Sequence, residues 1–168
     1  GATTGSGNTS LNNFVFNKGV STVTWKATDP SGNSSSCSFS VTVNDNQAPT
    51  ISCVGNQTRS TNANVCTYTT VTTEFNPTAS GDNCGVTSTT YTVSGATSGS
   101  GSNTLAGFVF LKGISTVTWK VQDAAGKSAT CNFPVTVTDN QKQTLTCPSI
   151  FTFNNKPDQS GNFHVLIG

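Results

Sequence analysis

The sequence predicts an all-β chain built of tandem antiparallel β-sandwich domains, and three observations predict it. Thr, Ser and Asn supply 69 of the 168 residues, a bias toward β-branched and turn-forming side chains and away from helix formers. Apolar residues recur with a period of two, the mark of half-buried strands. Residues 1–47 lie on residues 95–141 at a constant offset of 94 without a gap, and 29 of those 47 positions are identical. A period of that length is a domain, much longer than the repeat of a solenoid.

The repeat sets the organisation. Residues 1–47 are expected to be the C-terminal part of one unit, 48–141 a complete unit, and 142–168 the N-terminal part of a following, divergent unit, in which Cys147 falls on Cys53. Within the complete unit, Ile51-Ser-Cys53 opens the first strand. Turn signals follow at Asn76-Pro77 to Asp82-Asn83 and at Gly99-Ser-Gly-Ser-Asn103, ahead of the run Leu105–Leu111. Val117, Trp119 and Val121 then share one face, with Thr116, Thr118 and Lys120 on the other. A turn at Asp123–Gly126 leads to a last strand with Cys131, Phe133, Val135 and Val137 inward. About seven short strands and no helix are expected. Trp25 and Trp119, on alternating strands, read as core filling.

Composition excludes several classes of function. Only 9% of residues are charged, the net charge is +1, and the eight Lys and Arg are scattered singly from Lys18 to Lys156, so no basic patch for nucleic acid is present. The longest apolar runs, Phe14–Phe16 and Phe108–Leu111, fall far short of the roughly 20 residues of a membrane span. Six Cys, none in a C-x-x-C pair and with one His to share, suit disulfides better than zinc and point to an oxidising, extracytoplasmic compartment. No signal pattern opens the chain and residue 1 falls inside a repeat, so the chain is expected to be a piece of something longer.

The stretch Gly113-Ile-Ser-Thr-Val-Thr-Trp-Lys-Val-Gln-Asp-Ala-Ala-Gly126, followed by Ala129-Thr-Cys-Asn-Phe-Pro-Val-Thr-Val137, resembles a hyalin repeat, and so does its copy at residues 19–43. Ile51-Ser-Cys53, Asp82-Asn-Cys84 and the junction Asp45-Asn-Gln-Ala-Pro49 add to the resemblance, which covers nearly the whole chain. Val54 stands where the family usually has proline, and the tail after Cys147 lacks a counterpart of Cys66. The resemblance implies immunoglobulin-like sandwiches of extracellular adhesive and matrix proteins, often in long arrays on bacterial surfaces, and it does not imply catalysis.

It also bears on the cysteines. In an immunoglobulin-like topology the starts of the first and last strands lie at one end of the sandwich, so Cys53 is expected to bond Cys131. Simpler repeats of the family carry only this outer pair, which implies that the additional Cys66 and Cys84 bond each other. Cys37 and Cys147 would then have partners in neighbouring repeats. A rival scheme pairs Cys37 with Cys53, Cys131 with Cys147 and Cys66 with Cys84, and needs the chain to reverse at Asn44–Pro49.

Catalytic candidates are sparse. His164 and Glu74 are the possible bases, neither with a visible partner, and no G-x-S-x-G elbow, H-E-x-x-H helix or P-loop occurs. Gly5-Ser-Gly7 and Gly99-Ser-Gly101 lack the helix and Lys of a phosphate cradle and read as flexible turns. One ionic constellation stands out: Asp45 and Asn46 of the junction, with Asp82 and Asp123 of the next domain, could gather oxygens around an interdomain calcium ion. The competing reading is that these Asx residues cap turns and fix the linker. Asn8, Asn33 and Asn56 begin N-x-S/T sequons.

The function expected is a non-catalytic structural or adhesive repeat of a long cell-surface protein, an adhesin stalk or surface filament. Its partners would be neighbouring repeats of the same chain, with self-assembly into filaments or contact with surface glycans. No cofactor is expected besides calcium, and no nucleic acid or membrane span. The alternative is a carbohydrate-binding accessory module of a secreted enzyme, which would use exposed aromatics; Tyr68, Phe75, Tyr91 and Phe151 are the ones the alternation does not bury.

Overall fold

The computed structural model describes residues 1–7 and 10–146, and every regular element among them is a β-strand. Strands β1 (Gly19–Thr28) and β2 (Ser34–Val43) form a hairpin by themselves. The complete unit contains β3 (Thr50–Ser52), β4 (Gln57–Ser60), β5 (Thr67–Thr69), β6 (Ala79–Gly81), β7 (Val86–Gly95), β8 (Gly99–Ser102), β9 (Val109–Leu111), β10 (Gly113–Asp123) and β11 (Ser128–Thr138). A five-stranded sheet in the order β4-β11-β10-β7-β8 forms one layer, and the two-stranded ladders β3-β6 and β5-β9 lie across the core from it. All pairings are antiparallel except that β4 runs parallel to β11 along the sheet edge. This is an immunoglobulin-like β-sandwich.

The hairpin β1–β2 repeats the hairpin β10–β11 register for register. Gly19 pairs with Val43 and Trp25 with Cys37, as Gly113 pairs with Val137 and Trp119 with Cys131. The backbone repeats too: Gly19 and Gly113 adopt φ of 117° and 125°. A side chain at either position would press on Ala2 or on Ala96, which are themselves repeat equivalents. Only glycine tolerates that conformation and that approach.

Period two becomes burial directly. Val117, Trp119 and Val121 of β10 and Phe133, Val135 and Val137 of β11 are buried, and the residues between them are more exposed. Phe75, from the crossover between β5 and β6, fills the centre: its ring meets Phe110 at 5.7 Å and Phe133 at 6.0 Å, both edge-on. The Trp119 indole Nε1–H donates to the Phe75 carbonyl oxygen at 2.9 Å, so the one polar atom of the largest core side chain is satisfied.

In β1–β2 the same residue types lack a covering layer among the described residues. Phe39 is 45% exposed where its equivalent Phe133 is 2% exposed. A cleft of about 210 Å³ lies along Leu11, Phe14, Phe16, Val23 and Trp25. Its walls are the positions that Leu105, Phe108, Phe110, Val117 and Trp119 occupy in the packed unit, so the cleft is an uncovered core rather than a ligand pocket.

Two expectations are corrected. The complete unit has nine strands instead of about seven, because stretches read as turns are strands. Gly99-Ser-Gly101 is not a flexible turn: it lies in β8 and pairs with β7, Tyr91 opposite Gly101. A side chain at Gly101 would overlap the Tyr91 ring, and one at Gly99 would approach the Phe108 ring to 2.9 Å. The glycines make room for aromatic rings at the sheet edge. Likewise, the region between Asn76 and Asp82 holds the short strand β6.

Candidate functional site: the junction between repeats

The passage from β2 to β3 is six residues, 44–49, and its centre is Asp45. The Asp45 side chain is fully buried, with Lys18 Nζ at 3.4 Å from Oδ2. Its Oδ1 accepts the Gln47 N–H at 3.2 Å, an Asx turn that tightens the linker. From the complete unit, the Asp82–Gly85 turn reaches the same carboxylate: one ligand atom each of Asp45, Asp82 and Cys84 lie within 4.8 Å of one another. That turn is built by Asp82, whose Oδ2 accepts the Cys84 N–H at 2.8 Å, and by Gly85 at φ 91°.

The electrostatics follow from these neighbours. Desolvation pushes the Asp45 pKa up, but the Gln47 N–H, the Lys18 ammonium and the Cys84 thiol outweigh it, so the carboxyl lies below its ordinary value. The Cys84 thiol is raised, by desolvation first and then by the negative charge of Asp45. The thiol therefore stays protonated beside an ionised carboxylate.

The four residues expected at a calcium site are only partly brought together. Asp45 and Asp82 converge, Asn46 is exposed, and Asp123 serves the β10–β11 turn. Its Oδ1 accepts the N–H groups of Ala125 and Lys127, each at 2.8 Å. Its equivalent Asp29 accepts those of Ser31 and Asn33 in the same way at 2.9 Å. Oδ1 of Asp82 and Oδ2 of Asp123 are buried without a protein partner among the described residues. The cluster at Asp45 thus offers two carboxylates, a thiol and an ammonium, a set that is largely self-neutralising.

At the other pole of the unit, Asp139-Asn140-Gln141 repeats Asp45-Asn46-Gln47. Asp139 Oδ1 accepts the Gln141 N–H at 3.1 Å, the same Asx turn. The Gln141 side chain is held by the turn after β4: its Nε2 donates to the Asn62 carbonyl and to Thr61 Oγ1, and its Oε1 accepts the Asn64 N–H at 3.1 Å.

The cysteines sort by pole. Cys53 and Cys131 are joined across the sandwich, Cα to Cα 5.8 Å. Cys66 and Cys84, expected to bond each other, are instead separate exposed thiols. Cys84 precedes β7, whose Val86 lies opposite Asp123 at the start-of-β11 end. Cys66 follows β4, whose Ser60 lies opposite Thr138 at the far end of β11. The 11 residues of β11 separate the two poles, about 33 Å at strand rise, whereas a disulfide needs Cα atoms within about 7 Å. The rival scheme does not occur either, since Cys53 is bonded to Cys131 and Cys37 is an exposed thiol. Cys147 lies outside the described residues, as do His164, Phe151 and Asn8.

Glu74 does have partners, which sequence spacing did not show. Its Oε1 accepts the Tyr68 hydroxyl at 2.6 Å and the Val71 N–H at 3.1 Å, and its Oε2 accepts Arg59 Nη2 at 3.0 Å. Arg59 lies over the Phe75 ring at 5.1 Å. Both carboxylate oxygens of Glu74 are thus engaged in tying the crossover to β4 and β5. The aromatics left open by the alternation, Tyr68, Phe75 and Tyr91, are all buried, so they offer no sugar-stacking platform. The sequon residue Asn33 gives its side-chain amide to Asp29 at 3.0 Å.

Fold and site together define a disulfide-stapled β-sandwich repeat that meets its neighbour through a clamped acidic linker. The chain belongs to the HYR domain family, whose model matches residues 5–43 and again residues 44–137. The family is a non-enzymatic repeat of extracellular and cell-surface proteins. No curated protein matches the chain.

Proposed function

We propose that the chain is a load-bearing spacer in a long cell-surface protein, the stalk of an adhesin or a surface filament. The observation that carries this reading is the buried Asp45, held by Lys18 of one repeat and set against Cys84 of the next. A linker fixed from both sides transmits bending between domains, where a solvated Gly/Ser linker would not. Within the complete unit the sequence-distant ends of the fold are joined by the Cys53–Cys131 bridge, 78 residues apart, which limits how far the unit extends under load.

Immunogold electron microscopy of producing cells, with antibodies raised against residues 48–141, tests the proposal. Gold spaced along thin surface fibres is the expected result. Gold confined to soluble secreted material would overturn it and favour the accessory-module reading, which a glycan-binding screen would then take up.

A further inference from the structure

Two exposed thiols at opposite poles of the unit, Cys66 and Cys84, have no partner within it. Each stands beside a copy of the same linker. Cys84 is set against Asp45 of the preceding Asp-Asn-Gln motif. Cys66 belongs to the turn after β4, whose residues 61–64 clasp Gln141 of the following Asp-Asn-Gln motif. The offset of 94 makes Asp45 and Asp139, and Gln47 and Gln141, equivalent positions. Where two complete units meet, both thiols therefore flank the three-residue Asp-Asn-Gln motif of one linker, from opposite sides.

We infer that successive repeats are joined by a disulfide between Cys66 of one unit and Cys84 of the next. Three residues span at most about 10 Å when extended, and the Asx turn seen at both junctions shortens this one. The inferred bridge requires that the two turns, each bonded to this short motif, stand with their cysteine Cα atoms within about 7 Å. The bridge lies beside the junction that Asp45 and Lys18 clamp and converts it from a hydrogen-bonded hinge to a covalent one. The inference rests on the array reading for its natural neighbour, and on the geometry of the two poles for its choice of cysteines.

The oxidant is a disulfide, such as a thiol–disulfide oxidoreductase of the extracytoplasmic compartment or glutathione disulfide. The Cys66 thiolate attacks one sulfur of the oxidant and releases one thiol. Cys84 then gives up its proton as it attacks the Cys66 sulfur of the mixed disulfide, and the second thiol is released. Two protein thiols become one S–S bond, and the two protons and two electrons leave on the two thiol groups of the reduced oxidant.

The test lengthens the full chain by one period, repeating residues 48–141 in register after Gln141, so that the junction is present whatever array the native protein forms. In one version Cys84→Ser in the first copy and Cys66→Ser in the second leave only the inter-repeat pair. After equilibration with glutathione disulfide and alkylation, cleavage at Glu74 and after every Lys and Arg puts Cys66 on residues 60–74 and Cys84 on residues 75–112, apart from the peptides that carry Cys53 and Cys131. A peptide linking Cys66 to Cys84 in most molecules is expected. The unsubstituted lengthened chain should lose two of its four alkylatable Cys66 and Cys84 thiols. The 168-residue chain should show no Cys66–Cys84 peptide. The Cys53–Cys131 peptide in each digest reports folding. Complete alkylation of both thiols in folded lengthened chain, or a Cys66–Cys84 peptide from the 168-residue chain, would overturn the inference and leave the immunogold result untouched.

Discussion

Trp119 donates its indole N–H to the carbonyl oxygen of Phe75, 44 residues earlier in the chain, at 2.9 Å. The bond ties the central strand of the five-stranded sheet to the crossover between the two small ladders. The equivalent Trp25 occupies the same register opposite Cys37 but is only half-buried, because no such crossover covers it among the described residues.

The two tryptophans should therefore differ in cost. Trp119→Ala is expected to destabilise the complete unit by about 3–5 kcal/mol, as cavity formation and a lost buried hydrogen bond require. Trp25→Ala should cost about 1 kcal/mol or less, as for a substitution outside a closed core. Urea denaturation followed by circular dichroism measures both. Equal costs would mean that the first hairpin is covered as fully as the second.

Removing the Cys53–Cys131 bridge with a Cys53→Ala/Cys131→Ala double substitution should lower unfolding free energy by about 3–5 kcal/mol, the range expected from closing a loop of this length. Comparing urea midpoints of oxidised parent and variant checks this. The m-value should rise as the unfolded chain loses its constraint.

Acid should weaken the crossover through Glu74. Burial pushes its pKa up, but the Tyr68 hydroxyl, the Val71 N–H and Arg59 outweigh it and hold it below 4.5. A folded-state pKa below the unfolded one means stability that is present above the unfolded value and is lost as pH falls through the folded value. The loss attributable to Glu74 therefore begins near pH 4.5 and continues below it. Glu74→Gln should flatten that part of the stability–pH curve and lower stability at pH 7. An unchanged slope between pH 5 and 2 would show that Glu74 is equally free in both states.

Asp45→Ala should loosen the junction without unfolding the complete unit, since the core lies elsewhere. Limited proteolysis within residues 44–49 should accelerate several-fold while the urea midpoint of the sandwich stays put. Lys18→Ala should act in the same direction and more weakly, because the Lys18 side chain is partly solvated. A fall in the midpoint equal to the proteolytic effect would place Asp45 in the core's stability instead.

Calcium at millimolar concentration should leave the melting temperature of the chain unchanged. Asp45 is neutralised by Lys18 and Asp123 spends Oδ1 on its turn, so fewer than the 6–8 oxygens of a calcium site converge. A rise of several degrees would show that the free valences of Asp82 and Asp123 are filled by the ion.

How much of this was legible in the sequence differs from residue to residue. The alternation along 117–121 and 131–137 named the buried face, because a strand has one side-chain period and a sandwich one inside. Identity at offset 94 carried the register of β1–β2 over to β10–β11. The aromatic positions of Tyr68, Phe75 and Tyr91 were not legible, since Phe75 lies in a crossover with no period and Tyr91 depends on two glycines of the neighbouring strand to admit its ring.

Local properties, then, were determined by the sequence alone: the strand faces of 117–121 and 131–137, the turn at Asp123–Gly126 and the repeat. The tertiary structure decided which distant groups meet. It placed Cys66 and Cys84 a strand length apart, gave Glu74 its three partner residues, and buried Asp45 against Lys18 and Cys84. Each of these depends on where loops return after crossing a sheet, a distance in space that no local periodicity encodes.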